Sequence, residues 1–432
     1  MYTNKQIWNV SYPIFLSLLA QNIINVTDTA FLGRVGEVEL GASAMGGLYY
    51  ICVFTIAFGF STGSQIVMAR RNGERRYSDV GPVMIQGVFF LLALAAVMFS
   101  FSRLFAKDIM RFMISSDTIL GATEEFLDWR VFGFFFSFVN VMFRALFIGI
   151  TRTKVLTLNA VVMALTNVLL DYLLIFGKGG FPEMGIKGAA IASVIAEGVS
   201  IVFFLVYTRL TVDIKKYALN QFRSFDIRLL KRVLSISISL STYFMLFVAV
   251  EHLGQRELAI ANIVRSVYIV LLIPVNSLST ATNSFVSNSI GAGHTDQVIP
   301  IIRRLSYISL GIVAVCVFIT CIFPSAILSV YTNDASLIHA SIPSLYVIAG
   351  ALLIAAVANI VFNGVTGTGN TRSAFAMELV TLVFYTLFIY VAGMRLHLPV
   401  AICFLTEVVY YTGLLLASVI YLKKAAWQNK KI

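Results

Sequence analysis

Charged side chains are scarce in this chain. Only 12% of its 432 residues are Asp, Glu, Lys or Arg, against about 25% in soluble domains, too few to cover a water-facing surface. Histidine is rarer still, with four (His252, His294, His339, His397). The four cysteines (Cys52, Cys316, Cys321, Cys403) all fall in apolar runs. Neither set has the spacing of a metal site or of a nucleophile with its base, which argues against an enzyme, a structural metal and a disulfide framework. No Gly-x-x-x-x-Gly-Lys-Ser/Thr stretch occurs, so ATP-driven transport has no phosphate-binding loop to start from. No cofactor is expected.

What the chain has instead is apolar length. Hydrophobic residues make up 59%, and lipid admits only backbone that satisfies its own hydrogen bonds, in helices of about 20 apolar residues. In the first half, runs of that kind cover 9–32, 41–69, 82–103, 126–149, 157–177 and 186–208. In the second half they cover 230–252, 259–288, 301–323, 342–365, 372–392 and 398–422. The expected fold is therefore an all-α membrane protein of twelve transmembrane helices, with the long second and eighth spans tilting or protruding. The first run is too long for the apolar part of a signal peptide and no small-residue cleavage site follows it, so it is expected to stay as a helix. With the N-terminus in the cytoplasm, 21 of the 32 Lys and Arg fall inside, ten outside and Arg144 within a helix. That bias predicts a multi-pass inner (plasma) membrane protein with both termini cytoplasmic. The net charge of +11 is thus a topology signal interleaved with apolar spans, and nucleic acid is not an expected partner. The bilayer is; a monomer is expected.

The halves repeat. A shift of 218 residues sets Gly36 on Gly254, Glu39 on Glu257, Leu40 on Leu258, Ser61-Thr62 on Ser279-Thr280, Gly73 on Gly291 and Thr153 on Thr371. Chance matches between apolar stretches would favour Leu and Ala over Gly, Ser and Thr. Six helices per half make a parallel repeat, a plan that secondary transporters use with the substrate site near the repeat interface. Two six-helix lobes, 1–208 and 229–432, are expected around a basic cytoplasmic linker at 209–228.

Polar residues inside the spans need a reason, since a charge at the bilayer centre costs at least about 2.5–3.5 kcal/mol. In the first span Ser17, Gln21, Asn25 and Asp28 share one helical face, as do Asn159, Asn167 and Asp171 in the fifth and Ser193, Glu197 and Ser200 in the sixth. Counted along their helices, Asp28, Asp171 and Ser193 fall in one layer of the outer half of the membrane. Two carboxylates in such a layer would share a proton or hold a monovalent cation. Polar groups also bind helices to one another, and Asp28 could pair with Arg34 or Lys178. The repeat register argues for function: it sets Leu246, Tyr385 and Ile389 opposite Asp28, Asn167 and Asp171, so the cluster occurs once. Glu197 and Glu407 are further candidates for a cavity, Glu378 for a pair with Arg372, and Arg144 is expected to snorkel toward the cytoplasm.

These residues resemble the multidrug and toxic compound extrusion (MATE) family over nearly the whole chain. The resemblance is carried by Asp28-Thr29-Ala30-Phe31-Leu32-Gly33, the runs 36–40 and 59–73, Asn167-Val168-Leu169-Leu170-Asp171, the stretch from Met184 to Ser193, and Gly367-Thr368-Gly369-Asn370-Thr371-Arg372. It implies two six-helix lobes around a V-shaped cavity and an antiporter that exports cationic or amphipathic compounds in exchange for H+ or Na+. The chain is most similar to the DinF-like branch. That implies an ion-coupling site at Asp28, Asn167, Asp171 and Ser193, where Na+ could be held by Asp28, Asn167 and Asp171. It also implies a polar cavity stripe at Gln21, Asn25, Asn159 and Glu197, and a hinge at Pro13. The second-lobe acids of the other bacterial branch are missing, their places held by residues around Ser239 and by Ala355. The same superfamily contains flippases for lipid-linked oligosaccharides and lipids, which would need a strongly cationic cavity; Arg144 and Lys187 are the candidates for one.

Overall fold

The computed structural model describes residues 2–114, 116–221, 255–332, 334–425 and 427–429. In the first half the helices are α1 (Asn4–Val35), α2 (Glu37–Gly73), α3 (Val80–Met113), α4 (Asp117–Arg130), α5 (Gly133–Gly149), α6 (Lys154–Ile175) and α7 (Gly185–Thr211). The second half gives α8 (Gln255–Gly291), α9 (Val298–Ile322), the short α10 (Pro324–Leu328), α11 (Ala335–Gly367), α12 (Thr371–Ile389), the single turn α13 (Val400–Cys403) and α14 (Leu405–Lys424). Among the described residues ten helices are long and apolar enough to cross a membrane, and α4 with α5, bent by 55°, make an eleventh if the pair is one span. The expected seventh span, 230–252, lies outside the described residues, and twelve spans fit the remainder. Outside them too lie Arg223, Arg228, Lys231, Arg232, Ser239, Leu246, Glu251, His252, Lys430 and Lys431.

Helix ends differ from the apolar runs in an orderly way. Both α2 and α8 contain 37 residues, about 55 Å at 1.5 Å each, well beyond a hydrocarbon layer of about 30 Å. The expected fourth span is broken: α4 and α5 are separated by Val131 and Phe132, whose turn is carried by Phe132 N–H to the Trp129 carbonyl and Phe134 N–H to that of Val131.

The internal repeat is written into the elements. The shift that superposes Gly36 on Gly254 also superposes both ends of α2 on those of α8, the 3-10 turn Tyr77–Asp79 on Thr295–Gln297, and the start of α3 on that of α9. Even the caps repeat. After α2, Arg75 N–H bonds the Asn72 carbonyl and Arg76 N–H that of Arg71; after α8, Gly293 and His294 do the same to Ile290 and Ser289. This is the Schellman arrangement, which needs a left-handed residue. Gly293 has φ 82° and Arg75 φ 60°, so the first copy holds a side chain where the second has none. A Cβ on Gly293 would meet nothing within 4 Å, leaving only the backbone cost. Gly293→Ala is therefore expected to lose about 1–2 kcal/mol in thermal unfolding of the purified protein, and Arg75→Gly to lose nothing. A neutral Gly293→Ala would refute the cap assignment.

Contacts divide the chain into two compact units, Tyr12–Ile238 and Met1–Ser11 with Ser239–Ile432. In the latter, the Tyr2 ring lies 4.4 Å from that of Phe285, Arg304 donates to the Tyr2 carbonyl (2.7 Å) and Ser277 to the Ser11 carbonyl (2.6 Å). Its core is built on α11, which packs against α8, α9 and α14. In the former, α5 is the enclosed helix: 14 of its 17 residues are buried, with α2, α3 and α7 around it. Phe143 stacks on Phe204 of α7 at 5.3 Å. Because α5 meets protein on all sides, its polar residues Ser137, Asn140 and Arg144 can only face other helices.

Candidate functional site

The polar faces of the first unit build three connected features. The first is the acid cluster. Asn167 and Asp171, one turn apart on α6, are 1% and 0% exposed, and Asp171 lies within hydrogen-bonding reach of Asp28 on α1. Neither carboxylate has a donor to offer the other unless a proton sits between them. Oδ1 of Asp28, both oxygens of Asp171 and both polar atoms of the Asn167 amide are buried without a hydrogen-bond partner among the described residues. Five such atoms in one place are costly. Arg34 and Lys178 form no ion pair with Asp28 among the described residues. Ser193 on α7 is half-buried, and no hydrogen bond ties it to the cluster.

The second feature is a cavity of about 70 Å³ between α1, α5, α6 and α7, lined by Ser17, Gln21, Arg144, Asn159, Glu197 and Ser200 among others. One water needs about 10–15 Å³ by this measure, so several fit. Its walls are wired together. Asn159 donates to Ser200 Oγ (2.8 Å), Ser200 donates to Asn140 Oδ1 (3.0 Å), and Asn140 donates to the Glu197 carbonyl (3.0 Å). Arg144 corrects an expectation. It does not snorkel: it donates to Ser17 Oγ at 2.9 Å inside the cavity, because α5 is enclosed and offers no open path to the interface. Gln21 reaches the cavity from an exposed position and Asn25 is exposed outside it. Pro13 is buried, its carbonyl accepting from Thr157 of α6 at 3.0 Å.

The third feature was not foreseen. Arg130, the last residue of α4, donates to Glu197 Oε1 at 2.7 Å, with both side chains largely buried. The Tyr50 ring lies under the guanidinium (3.5 Å to its centre), and the Tyr50 hydroxyl lies 3.1 Å from both Glu197 oxygens and 2.9 Å from Ser137 Oγ. Arg130 Nη1 is buried without a hydrogen-bond partner among the described residues, and the guanidinium acts electrostatically on Asp28. Arg130 thereby joins the cavity wall to the acid cluster. Gly133 makes room for it: a Cβ there would come within 2.3 Å of Arg130 Nη1 and 2.6 Å of Glu197 Oε2.

The chemistry available is that of small cations. Oxygen donors of two carboxylates and an amide suit a proton or a hard monovalent ion. Among the described residues no three His, Cys, Asp or Glu side chains converge as metal ligands would.

Comparison with known proteins gives a consistent picture. The MatE family model matches residues 13–173 and 233–391. A probable multidrug resistance protein NorM of Thermotoga maritima is 22% identical over 88% of this chain and 83% of its own length. The probable multidrug resistance protein YoeA of Bacillus subtilis is 24% identical over 76% and 73%. Among solved structures, MATE in the straight conformation superposes with a TM-score of 0.86 at 18% identity, covering 99% of this chain and 97% of the other. A MOP superfamily transporter from Pyrococcus furiosus, described as having a binding pocket of reverse polarity, gives 0.84 at 18% identity with the same coverage.

Proposed function

Since this chain belongs to the MatE family of membrane transporters, we propose that it is a secondary antiporter exporting small amphipathic or cationic compounds in exchange for H+ or Na+. The observation that carries the reading is the set of buried, partnerless oxygens at Asp28, Asn167 and Asp171. Lone pairs kept dry and unsatisfied are a standing demand for a cation, and a proton shared between the two aspartates or a sodium ion among the three residues meets it. Ser193 is proposed to contribute its hydroxyl when the ion is bound. The neighbouring cavity would admit part of an organic substrate, with Gln21, Asn159 and Glu197 as its polar contacts. Glu197 is already paired with Arg130, so among the described residues Arg144 is the one cation on the cavity lining, short of the cluster of cations that the pyrophosphate of a lipid-linked sugar would need. Pro13 is the proposed hinge, since an interior proline removes one helical hydrogen bond and eases bending. The membrane is proposed to be the inner (plasma) membrane, with both termini cytoplasmic.

Transport in proteoliposomes with pH and Na+ gradients imposed separately tests this. Export of a fluorescent organic cation is expected to follow one of the two gradients and to stop when that gradient is collapsed. Export indifferent to both would overturn the antiport reading.

A further inference from the structure

The second unit holds a buried carboxylate of a different build. Glu407, 2% exposed, lies eight residues into the span Val400–Lys424, roughly 10 Å from its end. The Tyr268 hydroxyl of α8 is 3.0 Å from its Oε2, the Tyr385 hydroxyl of α12 is 3.3 Å from its Oε1, and the Tyr411 hydroxyl is 2.8 Å from that of Tyr268. We propose that this cluster is a proton-binding site of the second lobe, with Glu407 as the acceptor and Tyr268 and Tyr411 as the path to it.

The hydrogen-bond arithmetic leads there. A phenol has one proton, so Tyr268 cannot donate to Glu407 and Tyr411 at once, and the chain has two orders. With Glu407 ionised, Tyr411 donates to Tyr268, Tyr268 donates to Oε2 and Tyr385 donates to Oε1. When a proton arrives at the Tyr411 oxygen, Tyr411 passes its own proton to Tyr268, and Tyr268 passes its own to Oε2. Glu407 is then neutral, both phenols are intact, and the Tyr268 and Tyr411 hydroxyls point the opposite way while Tyr385 still donates to Oε1. One proton has entered and no heavy atom has moved. Both orders satisfy the same oxygens, so the site can load and unload without repacking.

Among the described residues no ion pair reaches Glu407. From α11 the cluster meets apolar residues such as Leu352 and Ala355. On α13 the Cys403 thiol is turned to the Leu398 carbonyl. Tyr410 packs its ring 5.2 Å from that of Tyr411 and lies within electrostatic reach of Glu378 of α12, a half-buried acid. The repeat sharpens the contrast. Tyr50 and Tyr268 occupy equivalent positions, and each meets a glutamate on the last helix of its own lobe. In the first lobe Arg130 neutralises that glutamate at 2.7 Å. In the second, the register sets Ile348 opposite Arg130 and tyrosine hydroxyls are the partners Glu407 has among the described residues; a buried carboxylate without a cation is one that takes up a proton.

The test reads protonation itself, so it stands apart from the antiport reading. Infrared difference spectra of the purified protein are recorded through pH steps in an Asp28→Asn/Asp171→Asn background, where the first-lobe pair is silent. A protonated-carboxyl band that appears and vanishes with pH is expected to persist there and to be lost on adding Glu407→Gln. Tyr385→Phe and Tyr268→Phe, which leave the carboxylate in place, are each expected to displace its midpoint by about one pH unit or more. A spectrum unchanged by Glu407→Gln overturns the proposal. Should Glu407→Gln fail to fold, an unmoved midpoint in both tyrosine variants overturns it equally.

Discussion

Asp28→Asn and Asp171→Asn are each expected to cut gradient-driven export at least about tenfold while leaving the protein as stable as before or more so. The two effects have one cause. The carboxylates are held within reach of one another with no donor between them, so the ion-free site is strained by like charge and by unsatisfied lone pairs. An amide of the same shape removes one charge and supplies a donor to the remaining carboxylate, which relieves the strain. The same change takes away the ion's partner, and a coupling ion can drive a conformational equilibrium only through a difference in affinity between its states. Tenfold in rate corresponds to about 1.4 kcal/mol, a modest share of what one charge-assisted contact supplies. Thermal unfolding and export from proteoliposomes, measured on the same preparation, decide the matter. Activity that falls in step with stability would mean packing damage, and export at the wild-type rate would remove the acid cluster from the mechanism.

Arg130→Met is expected to destabilise the first unit by roughly 3–5 kcal/mol, as is Glu197→Leu, with most of that loss recovered when the two are combined. Each single change strands the opposite charge in a buried site beside Tyr50 and Ser137, where water cannot replace the missing partner. Removing both leaves an apolar contact of similar volume, to which the Tyr50 ring is already suited. Unfolding midpoints for the two singles and the double form the cycle. Additive losses would show that the 2.7 Å contact carries no coupling energy. Gly133→Ala should mimic the single changes in a milder form, because its methyl would occupy the space where guanidinium, carboxylate and phenol meet.

Much of this arrangement was legible in the sequence because the relevant signals are periodic. Asn167 and Asp171 announce one face of α6 through their spacing, and the repeat is visible in matched Gly, Ser and Thr that apolar drift would not preserve. What escaped depended on facts that are not local. Arg130 was counted with the external charges because it stands at the start of an apolar run; its partner is 67 residues further along the chain. The only local hint was Gly133, small enough to let three polar groups meet. Arg144 was misread by a rule about distance to the interface, which does not apply to a helix enclosed by protein. Tyr385 entered only as the register equivalent of Asn167, and its hydroxyl, the part that meets Glu407, carries no weight in a hydrophobic count. The break between α4 and α5 has no proline to announce it.

The separation of Arg130 from Glu197 also sets a condition on how the chain is made. At about 5–20 residues per second, the ribosome needs several seconds to travel from the arginine to its carboxylate. An unpaired arginine entering hydrocarbon faces a penalty of up to about 2.5–3.5 kcal/mol on insertion scales, so α4 and α5 are less stable in lipid during that interval than after it. Retention at the insertion machinery until α7 emerges would let the two charges leave together. The unit of biogenesis favoured by this pairing is a bundle of several helices, and a chain ending anywhere between the two residues is expected to insert less stably than one that reaches Glu197.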